Sequence, residues 1–324
     1  MEYFFHDVGI SQRMASADYL RFADHMKPGL LFPRTPFPAR SGHISDYLTN
    51  LVLPQKSCYK VTNCCQRFKV PSNNGGRAMR VDGDFQAAYR ELKGRMMACA
   101  EADGHPFLPN PEPEGPVDYV FICMEPSLGR WARTAEEAKS KVDAGFRNFL
   151  SSTETFILHF CIRRYLCEST KRYHITDFSK GAMLVKGAEQ ERTQRFDRWY
   201  PLLQEEIHLV ATSDATIVAV GKVVSQYLKR RDFHRPVKPV IHYSCLAGRA
   251  RSAEIAGREE AFEAFRGSVS IEDMVATAKA VLRESHMPVE MYNEELSRLS
   301  KSQLSTSRQQ LIFSYKLAFE SMRA

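Results

Sequence analysis

The sequence predicts an α/β fold: a three-layer αβα sandwich around a central, mostly parallel four-stranded sheet, with an N-terminal extension and C-terminal helices. Three observations predict it. Continuous apolar runs, Val117–Cys123 foremost, read as strands buried on both faces. Segments with helical spacing alternate with these runs, as parallel crossovers require. Polar clusters stand directly after the runs, at strand carboxyl ends, where open α/β sheets place their chemistry.

The elements follow in order. Up to Pro116 the chain is interrupted by Lys27-Pro28-Gly29, Pro33, Pro36, Pro38, Ser72–Gly76 and the proline-rich connector Leu108–Pro116, leaving one helix over Asp84–Ala102. This part, residues 1–116, reads as an extension packed on or beside the core. Residues 117–285 form the α/β core. Its strands are Val117–Cys123, Tyr173–Asp177, Ala215–Val220 and Val240–His242. Its helices run over Thr134–Phe149, Thr153–Cys167, Pro201–Ala211 and from Gly221 through Leu228. The third is placed by Pro201 in the first turn and by Leu202, Leu203, Ile207 and Leu209 on one face. Ile271–Glu284 and Glu294–Met322 read as further helices, with residues 286–324 a C-terminal helical segment. Gly221-Lys222 lacks the spacing of a phosphate loop and reads as a strand-to-helix turn.

The chain has 324 residues, 44% of them hydrophobic, enough for one large core without a disulfide or metal staple. Its eight cysteines (58, 64, 65, 99, 123, 161, 167 and 245) form no paired CxxC pattern, so no metal and no cofactor are expected. No stretch is long enough to span a bilayer, and a cytoplasmic, nucleoid-associated location is expected. The net charge is +7, with basic residues clustered at Arg163-Arg164, Lys171-Arg172, Lys229-Arg230-Arg231, His234-Arg235, Arg249, Arg251 and Arg258. This is a phosphate-binding footprint, or, more plainly, solvated surface.

Two clusters carry chemistry. Met124-Glu125-Pro126-Ser127-Leu128-Gly129 follows the first strand, and His242-Tyr243-Ser244-Cys245-Leu246-Ala247-Gly248-Arg249 follows the run Pro239–Ile241. A carboxylate at one strand end and an imidazole at another suit bond cleavage with a general base and a hydrogen-bond donor. Each also has a structural reading: Glu125 as a carboxylate at a helix N-terminus, His242 as a core histidine at a strand end.

These clusters, with His174-Ile175-Thr176-Asp177, Pro201–Ile207 and Val218–Lys222, resemble the uracil-DNA glycosylase superfamily over roughly residues 117–250. The resemblance implies hydrolysis of the base–deoxyribose bond of a flipped nucleotide through an oxocarbenium-like transition state. Glu125 stands where relatives carry Asp or Asn, and would orient or deprotonate water and stabilise the cationic sugar. His242 would donate to the pyrimidine carbonyl as a neutral imidazole. The Ser244–Arg251 loop would enter the duplex, with Leu246 as a wedge and Arg249, Arg251 and Lys180 on phosphates. Phe146 or Phe149 would stack on the base and Asn148 would contact its polar edge; the structural reading puts these rings in the core.

Two positions depart from the uracil-specific pattern. Asp177 replaces the Asn that reads uracil; protonated, it pairs with N3 and the N4 amine of cytosine. Its structural reading is a helix N-cap or a partner for Lys180. Ser127 replaces the tyrosine that blocks pyrimidine C5. The expected activity is therefore a DNA glycosylase for a 5-substituted cytosine ahead of uracil, leaving an abasic site, in defence against phage with modified DNA. DNA is the expected partner, with no membrane and no obligatory protein partner. The alternatives are uracil or mismatch excision repair and a non-catalytic DNA-binding module; a nucleotide-binding enzyme lacks its Gly-rich fingerprint.

Overall fold

The computed structural model describes residues 81–129, 131–167, 170–185, 187–244, 247–301 and 304–323. The chain divides into two compact units, Met1–Asn74 and Gly75–Ala324, and the described residues belong to the second. Cys58, Cys64, Cys65, Cys245 and Leu246 lie outside the described residues.

Four strands, β1 (Val117–Cys123), β2 (Tyr173–Asp177), β3 (Ala211–Val220) and β4 (Val237–Val240), form one parallel sheet in the order β2-β1-β3-β4. β1 and β3 are central, which is why their apolar residues run on without alternation: each strand feeds two cores. Phe121, Cys123, Val218 and Val220 point to one core, and Val120, Ile122, Ile217 and Ala219 to the other. Val117 and Tyr119 lie two residues apart yet serve opposite cores, because the β1–β3 register shifts between them.

One face is covered by α1 (Val81–Ala102), α4 (Arg192–Val210) and α5 (Lys222–Arg230). In α1 the buried residues Phe85, Tyr89, Leu92, Met96 and Ala100 recur every three or four positions and meet Trp199, Leu203 and Ile207. The other face is covered by α3 (Thr153–Cys161) with the π-turn Ile162–Leu166, and by α7 (Glu259–Arg266), α8 (Ile271–Glu284), α9 (Asn293–Lys301) and α10 (Thr306–Arg323). The three-layer α/β sandwich is thus the observed fold. Two further helices, α2 (Ala135–Asp143) and α6 (Gly248–Ile255), follow β1 and β4. No helix among the described residues is long and apolar enough to cross a membrane.

Several boundaries differ from expectation. α1, within the expected N-terminal extension, shares a core with α4. In the C-terminal helical segment, Phe319 packs edge-on against Phe121 at 5.6 Å. α2 ends at Asp143, and Gly145 with φ +104 follows. α4 starts at Arg192, nine residues before expected, and carries Pro201 in its interior. β4 ends at Val240, so His242 stands beyond it; Pro239 is tolerated because β4 is an edge strand.

Candidate active site

The carboxyl ends of β1, β2 and β4 bring Glu125, Asp177 and His242 to one edge of the sheet. β1 and β4 are separated by β3 alone, so about 10 Å lies between their backbones.

Glu125 leaves the end of β1 with its side chain only 5% exposed. Arg192, the first residue of α4, donates from Nε at 2.9 Å and Nη2 at 2.6 Å, both to Oε1. Oε2 is buried without a hydrogen bond, and Arg195 Nη2 lies 3.8 Å from it. Arg195 itself holds the carbonyls of Ala188 and Gln190 at 2.6 and 3.2 Å. Sequence reasoning missed both arginines. Their i, i+3 spacing in the first turn of α4 was the available signal, hidden by placing the helix start at Pro201.

Asp177 ends β2 beside Cys123 and is 2% exposed. Burial pushes its carboxyl well above the usual range; Lys180 opposes this, Glu125 reinforces it, Asn148 opposes it and Glu206 reinforces it. Burial therefore favours the protonated acid over the carboxylate. Asn148 Nδ2 donates to Oδ2, which leaves Oδ1 to carry the proton. Asn148 is held in turn by its main-chain N–H on Pro109 O at 2.9 Å and by Nδ2 on Asn110 Oδ1 at 3.3 Å.

Lys180 does not face DNA. It is 2% exposed, and its Nζ donates to Glu206 Oε2 at 2.5 Å and to the Asp177 main-chain carbonyl at 2.7 Å. The expected phosphate contact is corrected to a buried ion pair, because a shielded ammonium must keep its carboxylate. Burial alone would raise Glu206; Lys180 and then His174 overcome it and bring the group to about 2. Thr176 Oγ1 donates to both Glu206 oxygens at 2.9 Å and accepts from Asn110 Nδ2 at 3.0 Å. A polar chain thus runs under β2 from Lys180 through Glu206, Thr176 and Asn110 to Asn148 and Asp177.

His242 accepts the Ser244 main-chain N–H on Nδ1 at 3.0 Å, so the proton of the neutral ring sits on Nε2. Burial, and then the charge of Arg251, lower the imidazole to about 4, so it is neutral at physiological pH. Gly221 makes room for the ring. Its φ is +96, and a Cβ there would stand 3.2 Å from His242 Cβ and Cδ2. Tyr243 stacks on the imidazole with centroids 4.4 Å apart.

Arg251 is also corrected. It is 3% exposed, and its Nη2 donates to Tyr243 O at 3.0 Å and to Ser244 O, while Nη1 donates to Ser307 Oγ at 2.8 Å. It clamps the His242 loop and has no face for phosphate. Ser244 contributes its backbone to the same clamp. Arg249, second in α6, is exposed.

Neither phenylalanine provides a base platform. Phe149 is 1% exposed inside the apolar core. Phe146 is stacked on Trp131 at 4.6 Å and lies against Tyr292 at 6.4 Å. Their rings were apolar enough to be drawn inward, the structural reading of the pattern. Ser127 is exposed, with its main chain bridged to Met183 and its carbonyl accepting from Trp131 Nε1 at 2.6 Å.

No family model, curated protein or solved structure matches the chain.

Proposed function

We propose that the chain is a DNA glycosylase that hydrolyses the N-glycosidic bond of a flipped-out pyrimidine, a 5-substituted cytosine ahead of uracil, and leaves an abasic site. The observation that carries the reading is the gathering of buried Asp177, half-buried His242 and the buried Glu125 side chain along one sheet edge.

As the bond from base nitrogen to C1′ lengthens, its electron pair moves onto the base and positive charge grows on the sugar. His242 Nε2–H is a donor that meets the growing charge on the base carbonyl without first losing a proton. Glu125 supplies the negative charge on the sugar side, and Oε2 holds the water whose oxygen bonds to C1′ and takes the proton that this water gives up, while the departing base takes up a proton from solvent. Asp177 presents one donor, Oδ1–H, and one acceptor, Oδ2. On cytosine the donor meets N3 and the acceptor meets the N4 amine. Asn148, by donating to Oδ2, keeps the acid in one sense. Small, exposed Ser127 leaves the C5 side open. Excision from the hypermodified DNA of phage in the cytoplasm is the setting in which such specificity serves the cell.

One feature favours uracil excision instead: a neutral carboxyl, like an amide, offers both a donor and an acceptor. The test is incubation with duplexes carrying cytosine, 5-hydroxymethylcytosine or uracil, with mass spectrometry of free bases and alkali cleavage of the strand. Release of the 5-substituted cytosine, lost in Ser127→Tyr, is expected. Uracil release at a comparable rate overturns the specificity. Salt-sensitive binding without release from any duplex, unchanged in Glu125→Ala and His242→Ala, leaves a DNA-binding module.

A further inference from the structure

We infer that Arg192 is a positioning residue of the reaction: it immobilises Glu125 through Oε1 and so dedicates Oε2 to the attacking water. The inference rests on the glycosylase reading for its chemistry and on the geometry of one carboxylate for its substance.

The two Glu125 oxygens are treated unequally. Oε1 takes both Arg192 bonds, from Nε and Nη2 at 2.9 and 2.6 Å, an end-on grip that fills its lone pairs. Oε2 is buried with no hydrogen bond among the described residues, in a side chain only 5% exposed. A buried carboxylate oxygen is costly to leave unpaired, so a donor that arrives with the substrate is bound strongly there. Arg195 does not fill that place, since its Nη2 stands 3.8 Å away and is engaged by Ala188 O at 2.6 Å. Arg192 itself is 18% exposed, and its backbone is fixed as the first residue of α4 after Glu191, whose φ of +51 turns the chain into the helix. A rigid helix start thus sets the rotation of a loop carboxylate, and the proton-bearing side of the water is presented to Oε2.

The competing assignment for an arginine at this edge is a ligand for a DNA phosphate. The two are separated by measuring single-turnover base release and, on a duplex whose target nucleotide carries 2′-fluorine and resists cleavage, the Kd at several salt concentrations. Arg192→Ala should slow base release about 100-fold, the cost of a misplaced reacting group. Its Kd should stay within about two-fold of the native value and the slope of log Kd against log salt should not change. Added guanidinium ion should restore base release in Arg192→Ala, and Arg192→Lys, which keeps one donor, should retain an intermediate rate. Melting temperatures of both variants report folding. A slope lower by about 0.9 with a weakened Kd makes Arg192 a phosphate ligand and overturns the inference, as does an unchanged rate. If the native protein releases no base at all, the glycosylase reading fails, while a crystal structure of Arg192→Ala still decides the clamp: a Glu125 carboxylate that keeps its place refutes it.

Discussion

Replacing Asp177 by asparagine tests the site at the group on which base choice depends. The side chain is 2% exposed and accepts from Asn148, and its own main-chain carbonyl holds Lys180 at 2.7 Å. An exposed aspartate titrates near about 3.9. In the folded chain burial moves Asp177 well above that. The sign follows directly. Below the unfolded value both states bind the proton and there is no penalty. Above it the unfolded chain ionises while the folded chain does not. Stability is therefore lost as pH rises from the unfolded value to the folded one, at up to about 1.4 kcal/mol per pH unit for this one proton. An amide has no proton to lose, and its oxygen still accepts from Asn148. Asp177→Asn should thus gain on the native protein by up to about 1.4 kcal/mol per unit as pH rises above the unfolded value of about 3.9. It should be no less stable at neutral pH, against the usual cost of about 1 kcal/mol for a substitution. Urea unfolding of both proteins across this range measures the difference, in which all other titrations cancel. A difference that stays flat with pH means that Asp177 is ionised in the fold; it then has no proton to donate, and the cytosine pairing fails.

Three further outcomes are expected. His242 is lowered from about 6.5 to about 4, so its contribution to stability is present above about pH 6.5 and is lost as pH falls toward 4, by roughly 3 kcal/mol in all. His242→Gln should flatten that part of the acid-unfolding profile, followed by circular dichroism, while abolishing base release. Lys180→Met strands Glu206 without its ammonium and should cost roughly 3–5 kcal/mol in chemical denaturation, leaving the salt slope of DNA binding unchanged; Arg249→Ala should lower that slope by about 0.9 and leave stability alone.

The central strand Val117–Cys123 was legible because burial on both faces leaves one apolar word in the sequence, and the edge strand Tyr173–Asp177 also has the expected bounds. So were the residues just beyond them, since a parallel sheet must deliver its strand ends to one edge. What the sequence concealed was burial of charge. Lys180 and Arg251 read as phosphate ligands by type, yet each is covered by partners remote in the chain, Glu206 for one and Ser307 for the other. No local spacing announces such pairs. The same holds for Arg192, which lies 67 residues from Glu125 and was set outside its helix by the weight given to Pro201. A proline inside a helix forfeits one backbone bond, and the packed face of Phe196, Trp199 and Leu203 outweighs it.

The imidazole that follows β4 is steered from the far end of the polypeptide. Tyr315 of α10 donates to Ile241 O at 3.0 Å, and Ser307 at the start of the same helix receives the arginine that grips Tyr243 and Ser244. Without these two contacts the histidine would have no fixed bearing. Substitutions at Ser307 or Tyr315 therefore retune chemistry at His242 without touching its ring.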